Sequence, residues 1–321
     1  MGGTGSIGSS AVDVIRTHRG EFELVAVTAL RSREKCEGIA AELGARAYVG
    51  EGAAVRAVEE NEADVCLVAT VGESGYRPTL KAIEKGMDIA LATKEVMVMA
   101  GAEVTAAAKA KGVRFLPVDS EHNAIFQCLQ GGGEVERLIL TCSGGPFLSG
   151  PEDLSAVTPE MALAHPRWRM GPKVTIDSAT MMNKGFEIIE AHWLFGIDVD
   201  RIEVVIHPES IIHSMVEFTD GSTLAQLAEP DMRVPIQYAL SWPGRLPAKR
   251  KRLDLSAYGK LTFGRPDESR FPCLRLAREA VRAGGDACAR LARADEVAVA
   301  RFLAGEMKFS EIPEFLERSI K

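Results

Sequence analysis

The sequence lacks paired cysteines, long apolar runs and any extended basic block, and each absence removes a class of protein. Its six cysteines are scattered, with no CxxC pair and no metal-finger spacing. That excludes a disulfide framework and suits a reducing cytosol. No apolar stretch is long enough to span a bilayer, and the chain opens on glycines rather than a secretory leader. A cytoplasmic protein without membrane contact is therefore expected. The formal net charge is −7, and the short basic run Lys249 to Arg252 reads as a solvated linker, so no nucleic-acid partner is expected. What is present is globular material: 321 residues, 46% hydrophobic and 26% charged, enough for about two domains with a large core.

The glycines at the start form the first motif. Gly2, Gly5 and Gly8 lie in GGTGSIG, and Gly3, Gly5 and Gly8 satisfy GxGxxG. Ile7, Ala11, Val14 and Ile15 follow at helical spacing, so the turn leads into a helix whose first amides suit a pyrophosphate. Phe22 to Ala29 reads as a buried strand. Arg31 and Ser32 then stand where an NAD site places an acid, and they favour the 2′-phosphate of NADP. An ordinary glycine turn is the alternative. Only Met1 precedes the loop, so the strand that would feed it is not in the chain as given.

Alternation continues beyond this point. Val65–Thr70, Met87–Ala92 and Val113–Val118 read as strands; Pro78–Lys85 and Gly101–Lys111 read as helices. Repeated βα units imply a Rossmann-like, doubly wound parallel sheet. Met87–Ala92 runs into Thr93, Lys94 and Glu95, and a lysine at the carboxyl end of such a strand points at the ligand crevice. Val113–Val118 runs into Asp119, Ser120 and Glu121. Read as extended, this places Asp119 and Glu121 on one side, and with Glu187 they offer oxygens to a hard cation such as Mg²⁺ or Mn²⁺. An acidic helix N-terminus is the alternative.

The segment His165–Glu190 carries polar groups, glycines and one tryptophan without a regular apolar period. From His165 to Lys173, the breakers Pro166, Gly171 and Pro172 leave a loop. Ser178, Asn183 and Lys184 follow as donors suited to oxyanions or hydroxyls, then Glu187 in what reads as the first turn of a helix. Glu187 and Glu190 share one face of it. An N-cap with a solvated helix face is the alternative.

VDSEHNAIFQ, SGGPF, HPRWRMG, DSATMMNKGFE, IHPESIIHSMVEFTDGS and LAQLAEPDMRVPI together resemble the 1-deoxy-D-xylulose 5-phosphate reductoisomerases, NADPH-dependent enzymes of non-mevalonate isoprenoid biosynthesis. The resemblance implies that Asp119, Glu121 and Glu187 bind the metal. It implies that Ser120, Glu121, Ser143, His165, Ser178, Asn183, Lys184 and Glu187 hold the sugar phosphate. Lys94, Glu121, His165, Trp168 and Glu190 then match positions that act in catalysis, with Trp168 on a lid. NADPH falls to Gly2, Gly3, Thr4, Gly5, Ser6, Ile7, Gly8, Arg31, Ser32, Thr93, Lys94, Glu95, Met170 and Gly171. The implied reaction rearranges 1-deoxy-D-xylulose 5-phosphate and reduces the resulting aldehyde to 2-C-methyl-D-erythritol 4-phosphate. Members of the family are homodimers.

Departures from the family pattern are also visible. Thr93 and Val96 replace polar residues around the lysine, Cys142 replaces a small residue before SGGPF, and the asparagine-rich NAANE appears as ARADE at Asp295. The segment Glu37–Glu62 is short and is expected to lack a strand and a helix. Further on, Asp220 and Gly221 mark a hairpin between alternating runs, and His207 and His213 read as structural. From Cys273 the pattern is helical, with a break at Gly284 and Gly285. The expected organisation is an NADPH-binding domain at 1–118, an α+β catalytic, metal-binding and dimerisation domain at 119–241, a linker at 242–270 and a small C-terminal helical domain at 271–321. Two other readings stay open: a different NADP-dependent dehydrogenase on a related scaffold, and a truncated relative that binds NADPH, metal or sugar phosphate without turnover.

Overall fold

The structure is a computed structural model that describes residues 1–151, 153–164 and 171–321. Its elements run α1 (Ser6–Thr17), β1 (Ala26–Ala29), α2 (Arg33–Leu43), β2 (Arg46–Val49), α3 (Ala53–Glu59), β3 (Val65–Val68), α4 (Tyr76–Glu84), β4 (Asp88–Leu91), α5 (Glu95–Lys111), β5 (Phe115–Pro117) and α6 (Ser120–Leu129). There follow β6 (Val135–Cys142), α7 (Pro159–Leu163), α8 (Pro172–Thr180), α9 (Met182–Phe195), β7 (Ile202–Ile206), β8 (Ile212–Phe218), β9 (Thr223–Leu227), α10 (Arg233–Ser241), α11 (Leu255–Tyr258), α12 (Cys273–Ala283), α13 (Ala287–Leu303) and α14 (Ile312–Ile320). Two compact units emerge. One comprises Met1–Val96, Ala100–Phe126 and Pro230–Arg252; the other comprises Met97–Met99, Gln127–Glu229 and Leu253–Lys321.

The first unit contains the βα alternation. β1 and β2 pair in parallel, as do β3, β4 and β5, in the order β3-β4-β5. Met1–Gly3 hydrogen-bonds to both ladders: Gly3 N donates to Thr28 O at 2.9 Å, and Ala69 N donates to Met1 O at 3.3 Å. Helix α1 has apolar residues on two flanks. Ala11 and Val14 pack with Ala90, Leu116, Val118, Ile236 and Ala239, while Val12 packs with Val27, Ala29, Cys36, Ile39 and Ala40. Ile236 and Ala239 belong to α10, and Arg233 at its start pairs with Asp13 of α1 at 2.8 Å. Residues 230–252 therefore join this unit, across the consecutive stretches expected from sequence.

Two local expectations need correction. The strand expected from Phe22 starts only at Ala26, because Glu21 N and Phe22 N both donate to His18 O and close a turn behind α1. The segment Glu37–Glu62 does not lack a strand and a helix: it holds β2 and α3. Strand β2 buries only Tyr48 fully, so it shows no apolar alternation for a sequence reading to find.

In the second unit the sheet order is β7-β6-β8-β9. β6 and β7 are parallel; β6–β8 and β8–β9 are antiparallel. The hairpin forms where expected, with Asp220 Oδ1 accepting from Ser222 N at 2.8 Å and Phe218 N donating to Ser222 O at 2.9 Å. In the linker expected at 242–270, Gly264 adds to β7, exchanging two backbone hydrogen bonds of 2.9 Å with Ile206. Helices α12, α13 and α14 follow the predicted helical run and bury Leu274, Leu276, Ala277, Leu291, Ala298, Ile312 and Leu316. Among the described residues no helix is long and apolar enough to cross a membrane.

Candidate active site

The glycine loop is built by close approach. A Cβ on Gly8, in the first turn of α1, would stand 2.2 Å from Gly2 O and 2.5 Å from Gly3 Cα, so only glycine lets the loop fold against the helix. Gly5 is the N-cap and adds no side-chain cap bond, which leaves the first-turn amides of α1 to be satisfied from outside. Arg31 and Ser32 are exposed ahead of α2, with no acid between β1 and α2. Sequence reasoning missed Lys35, whose Nζ donates to Thr4 O at 2.9 Å and Ser9 Oγ at 3.0 Å. Its signal was its place in the first turn of α2, just after Arg31 and Ser32.

At the end of β4, the Thr93 hydroxyl donates to Thr70 O at 2.7 Å and Lys94 caps α5. Lys94 Nζ lies 2.7 Å from Asp119 Oδ2. Asp119 is not in an extended segment with Glu121, as the sequence suggested. β5 stops at Pro117, and Asn123 N donates to Asp119 O at 2.8 Å, so the backbone is already turning into α6. Buried Asn123 secures this turn by donating to Pro117 O at 2.7 Å and Pro235 O at 3.2 Å. Glu121 thus occupies the first turn of α6, where its charge suits the helix dipole, and its Oε2 accepts from Ser120 Oγ at 2.6 Å. The acidic helix start given as the alternative is therefore present.

In the second unit, β6 ends at Cys142 and the loop Ser143–Gly145 follows. Ser143 Oγ accepts from Gly145 N at 3.3 Å. A Cβ on Gly145, whose φ is +67°, would stand 2.6 Å from Ser178 O, so this glycine lets the Ser143 loop lie against α8 beside Ser178. Helix α8 begins with Pro172 after Gly171, so it takes in the last two residues of the loop expected through Lys173. Met181, at φ +63°, turns the chain into α9. Asn183 and Lys184 fill the first turn of α9, and Glu187 sits in the second turn rather than the first.

Glu187 is only 1% exposed. Its Oε1 accepts from Asn183 Nδ2 at 2.6 Å, and its Oε2 pairs with Lys184. Such burial of a carboxylate is tolerable because a cation and a neutral donor accompany it. Glu190, also 1% exposed, lies on the same face. His165, Trp168 and Met170 lie outside the described residues. The predicted structural role of His207 is visible: Nδ1 donates to Thr262 O at 2.9 Å and Nε2 accepts from Ile211 N at 3.1 Å.

Comparison with known proteins identifies the family. A 1-deoxy-D-xylulose 5-phosphate reductoisomerase family model matches residues 1–49 and 33–101. The family's C-terminal domain models match residues 115–195 and 227–321. The 1-deoxy-D-xylulose 5-phosphate reductoisomerase of Symbiobacterium thermophilum is 52% identical over 97% of this chain and 88% of its own length. That of Geobacillus kaustophilus is 51% identical over 100% and 91%. The Zymomonas mobilis enzyme in complex with NADPH has a TM-score of 0.92 at 40% identity, covering 99% of this chain and 89% of that one. A DOX-P reductoisomerase in complex with NADPH, fosmidomycin and magnesium has a TM-score of 0.93 at 38% identity, covering 100% and 88%. With half of its residues identical to such relatives along nearly its whole length, and with their fold, this chain belongs to the 1-deoxy-D-xylulose 5-phosphate reductoisomerase family.

Proposed function

We propose that this protein converts 1-deoxy-D-xylulose 5-phosphate to 2-C-methyl-D-erythritol 4-phosphate, with NADPH as reductant and Mg²⁺ or Mn²⁺ as the required cation. The observation that carries the reading is the set of paired charges, Lys94 with Asp119 and Lys184 with Glu187, in a chain of this family. The side chains fit the absent groups. Asp119, Glu121 and Glu187 offer only carboxylate oxygens, the donors of a hard cation. The glycine loop and the uncapped start of α1 suit a pyrophosphate, and Arg31 with Ser32 suits a 2′-phosphate.

The divalent cation, when bound by these carboxylates, supplies Lewis-acid stabilisation of negative charge on substrate oxygen. Lys94 adds a fixed positive charge for the same oxyanion as the carbon skeleton rearranges and the aldehyde is reduced. Ser143 and Ser178, with Asn183 and Lys184, hold the phosphate and hydroxyls, and Ser120 adds a further hydroxyl. Their binding energy is remote from the reacting carbons and is available to orient them. Glu190 holds an acid near the substrate. Thr93, Glu95 and Gly171 are assigned to NADPH, and, outside the described residues, Met170 to NADPH, His165 to the substrate and Trp168 to a lid that excludes water.

The protein acts in the cytoplasm as a homodimer. Strand β9 lies at the edge of its sheet with Leu224 42% exposed, a surface a second copy can cover. The alternative of a truncated relative that binds without turnover is not favoured, because the family identity extends over 97% of the chain. Mixing the protein with 1-deoxy-D-xylulose 5-phosphate, NADPH and Mn²⁺ tests the assignment. Loss of NADPH absorbance supports it; folded protein that leaves NADPH unoxidised with either metal overturns it.

A further inference from the structure

Outside the residues assigned above, two buried carboxylates of the second unit meet one ammonium among the described residues. Lys173 Nζ of α8 lies 2.6 Å from Asp177 Oδ2, one turn along the same helix, and 2.7 Å from Asp295 Oδ2 of α13. It also lies 4.7 Å from the centre of the Phe186 ring of α9. The carboxylate side chains are 3% and 0% exposed. Two ionised carboxylates would leave one uncompensated negative charge in the interior, which is costly. Moreover, Asp177 Oδ1 and Asp295 Oδ1 meet no hydrogen-bond donor among the described residues. A carboxyl proton placed on one of the two acids would supply the donor and remove the excess charge.

We propose that Asp177 and Asp295 share one proton across the contact of α8 with α13, and that this link positions α8 and the Ser178 it carries. Ser178 follows Asp177 directly, and Met181 then leads into α9, so the seating of α8 sets the substrate-binding hydroxyl. This second part rests on the proposed function. The groups around the pair are consistent with a shared proton. Cys273 of α12 faces both acids and is itself pushed up by burial and their charge. Helix α9 presents Phe186, while its Lys184 and Glu187 pair with each other. Arg293 and Glu296 on α13, and Glu160 on α7, are exposed.

The arrangement has a defined pH dependence. Burial, and then the Asp295 charge, hold the Asp177 carboxyl well above the usual carboxylate range. Between the ordinary and the raised value, the native state keeps a proton that the unfolded chain has released. Stability is thus full below the ordinary carboxylate pKa and is lost as pH rises toward the raised one. Asp295→Asn replaces the shared proton with an amide donor and leaves Asp177 to pair with Lys173.

The test is thermal unfolding of the full chain and its Asp295→Asn variant, without ligands, from about pH 5 to about pH 8. The Tm of the wild type should fall relative to the variant by at least about 3 °C over this range. Parallel curves would overturn the shared proton. Should Asp295→Asn not fold, Asp177→Asn is expected to flatten the slope in the same way. Positioning is read separately from substrate KM with NADPH and Mn²⁺. The wild-type KM should rise with pH relative to the variant while the KM for NADPH stays level; titration of the substrate phosphate cancels in that ratio. Coincident substrate KM profiles would overturn the positioning of Ser178. Unfolding needs no turnover, so divergent Tm curves in an inactive protein would sink the proposed function and sustain the shared proton.

Discussion

Burying the Glu187 carboxylate costs several kcal/mol unless opposite charge is buried with it, and Lys184 and Asn183 supply that charge and a donor. The cation proposed for Glu187 would add a second compensating charge. Glu187→Gln keeps the shape and removes the charge, so the Mn²⁺ concentration for half-maximal NADPH oxidation should rise about 10–100-fold; an unchanged requirement would remove Glu187 from the ligand set. Gly8 is equally specific in steric terms. Its missing Cβ makes room for the backbone of Gly2 and Gly3, and backbone cannot swing aside as a side-chain tip can. Gly8→Ala should weaken NADPH binding at least about tenfold and destabilise the fold by about 1–3 kcal/mol, measured by fluorescence titration and urea unfolding. Both residues were legible in the sequence because their partners are near in the chain. Asp177 and Asp295 were not, since nothing in either local pattern says that α13 meets α8.

At the level of elements, long periodic helices and the Asp220 hairpin could be read directly, while short features were misread for identifiable reasons. VDSE continues an apolar strand, so the sequence predicts an extended segment at Asp119 where the structure has a turn. The side chain of Asn123 holds the helix start there through Pro117 O, and its second bond, to Pro235 O, is tertiary. β2 was missed because an edge strand with one fully buried residue carries no alternation. His207 shows how an element is held from outside itself. Its ring, 0% exposed, bonds to Thr262 O and Ile211 N and stacks on Phe263 with 4.9 Å between centroids. His207→Ala leaves a cavity and two unsatisfied backbone groups, so it should cost about 2–4 kcal/mol in urea unfolding. Because no substrate role falls to His207, kcat/KM of the folded variant should stay at the wild-type value, and a lost kcat with intact stability would contradict this assignment.

Across the whole molecule, the cofactor's phosphates and the chemistry draw on different side chains. The residues proposed for the pyrophosphate and 2′-phosphate, Gly2 to Gly8 with Arg31 and Ser32, all lie in the first unit. They present backbone amides, a guanidinium and the hydroxyls of Thr4, Ser6 and Ser32, and no carboxylate. Metal binding is assigned to Asp119, Glu121 and Glu187, and phosphate and hydroxyl binding to Ser143, Ser178, Asn183 and Lys184 of the second unit. None of the amides at the start of α1 needs a divalent cation to attract a phosphate, because the helix terminus is itself electropositive. Chelation should therefore separate the two functions. In excess EDTA, NADPH is expected to bind with an affinity within about threefold of that in Mn²⁺, a difference of less than about 1 kcal/mol, while oxidation of NADPH by 1-deoxy-D-xylulose 5-phosphate stops and returns on adding Mg²⁺ or Mn²⁺. The first is read from NADPH fluorescence on titration with protein, the second from NADPH absorbance. If EDTA abolished NADPH binding as well, the cation would have to act on the cofactor loop, and the division of roles would fail. If oxidation continued in EDTA, the three carboxylates would have no catalytic cation to hold.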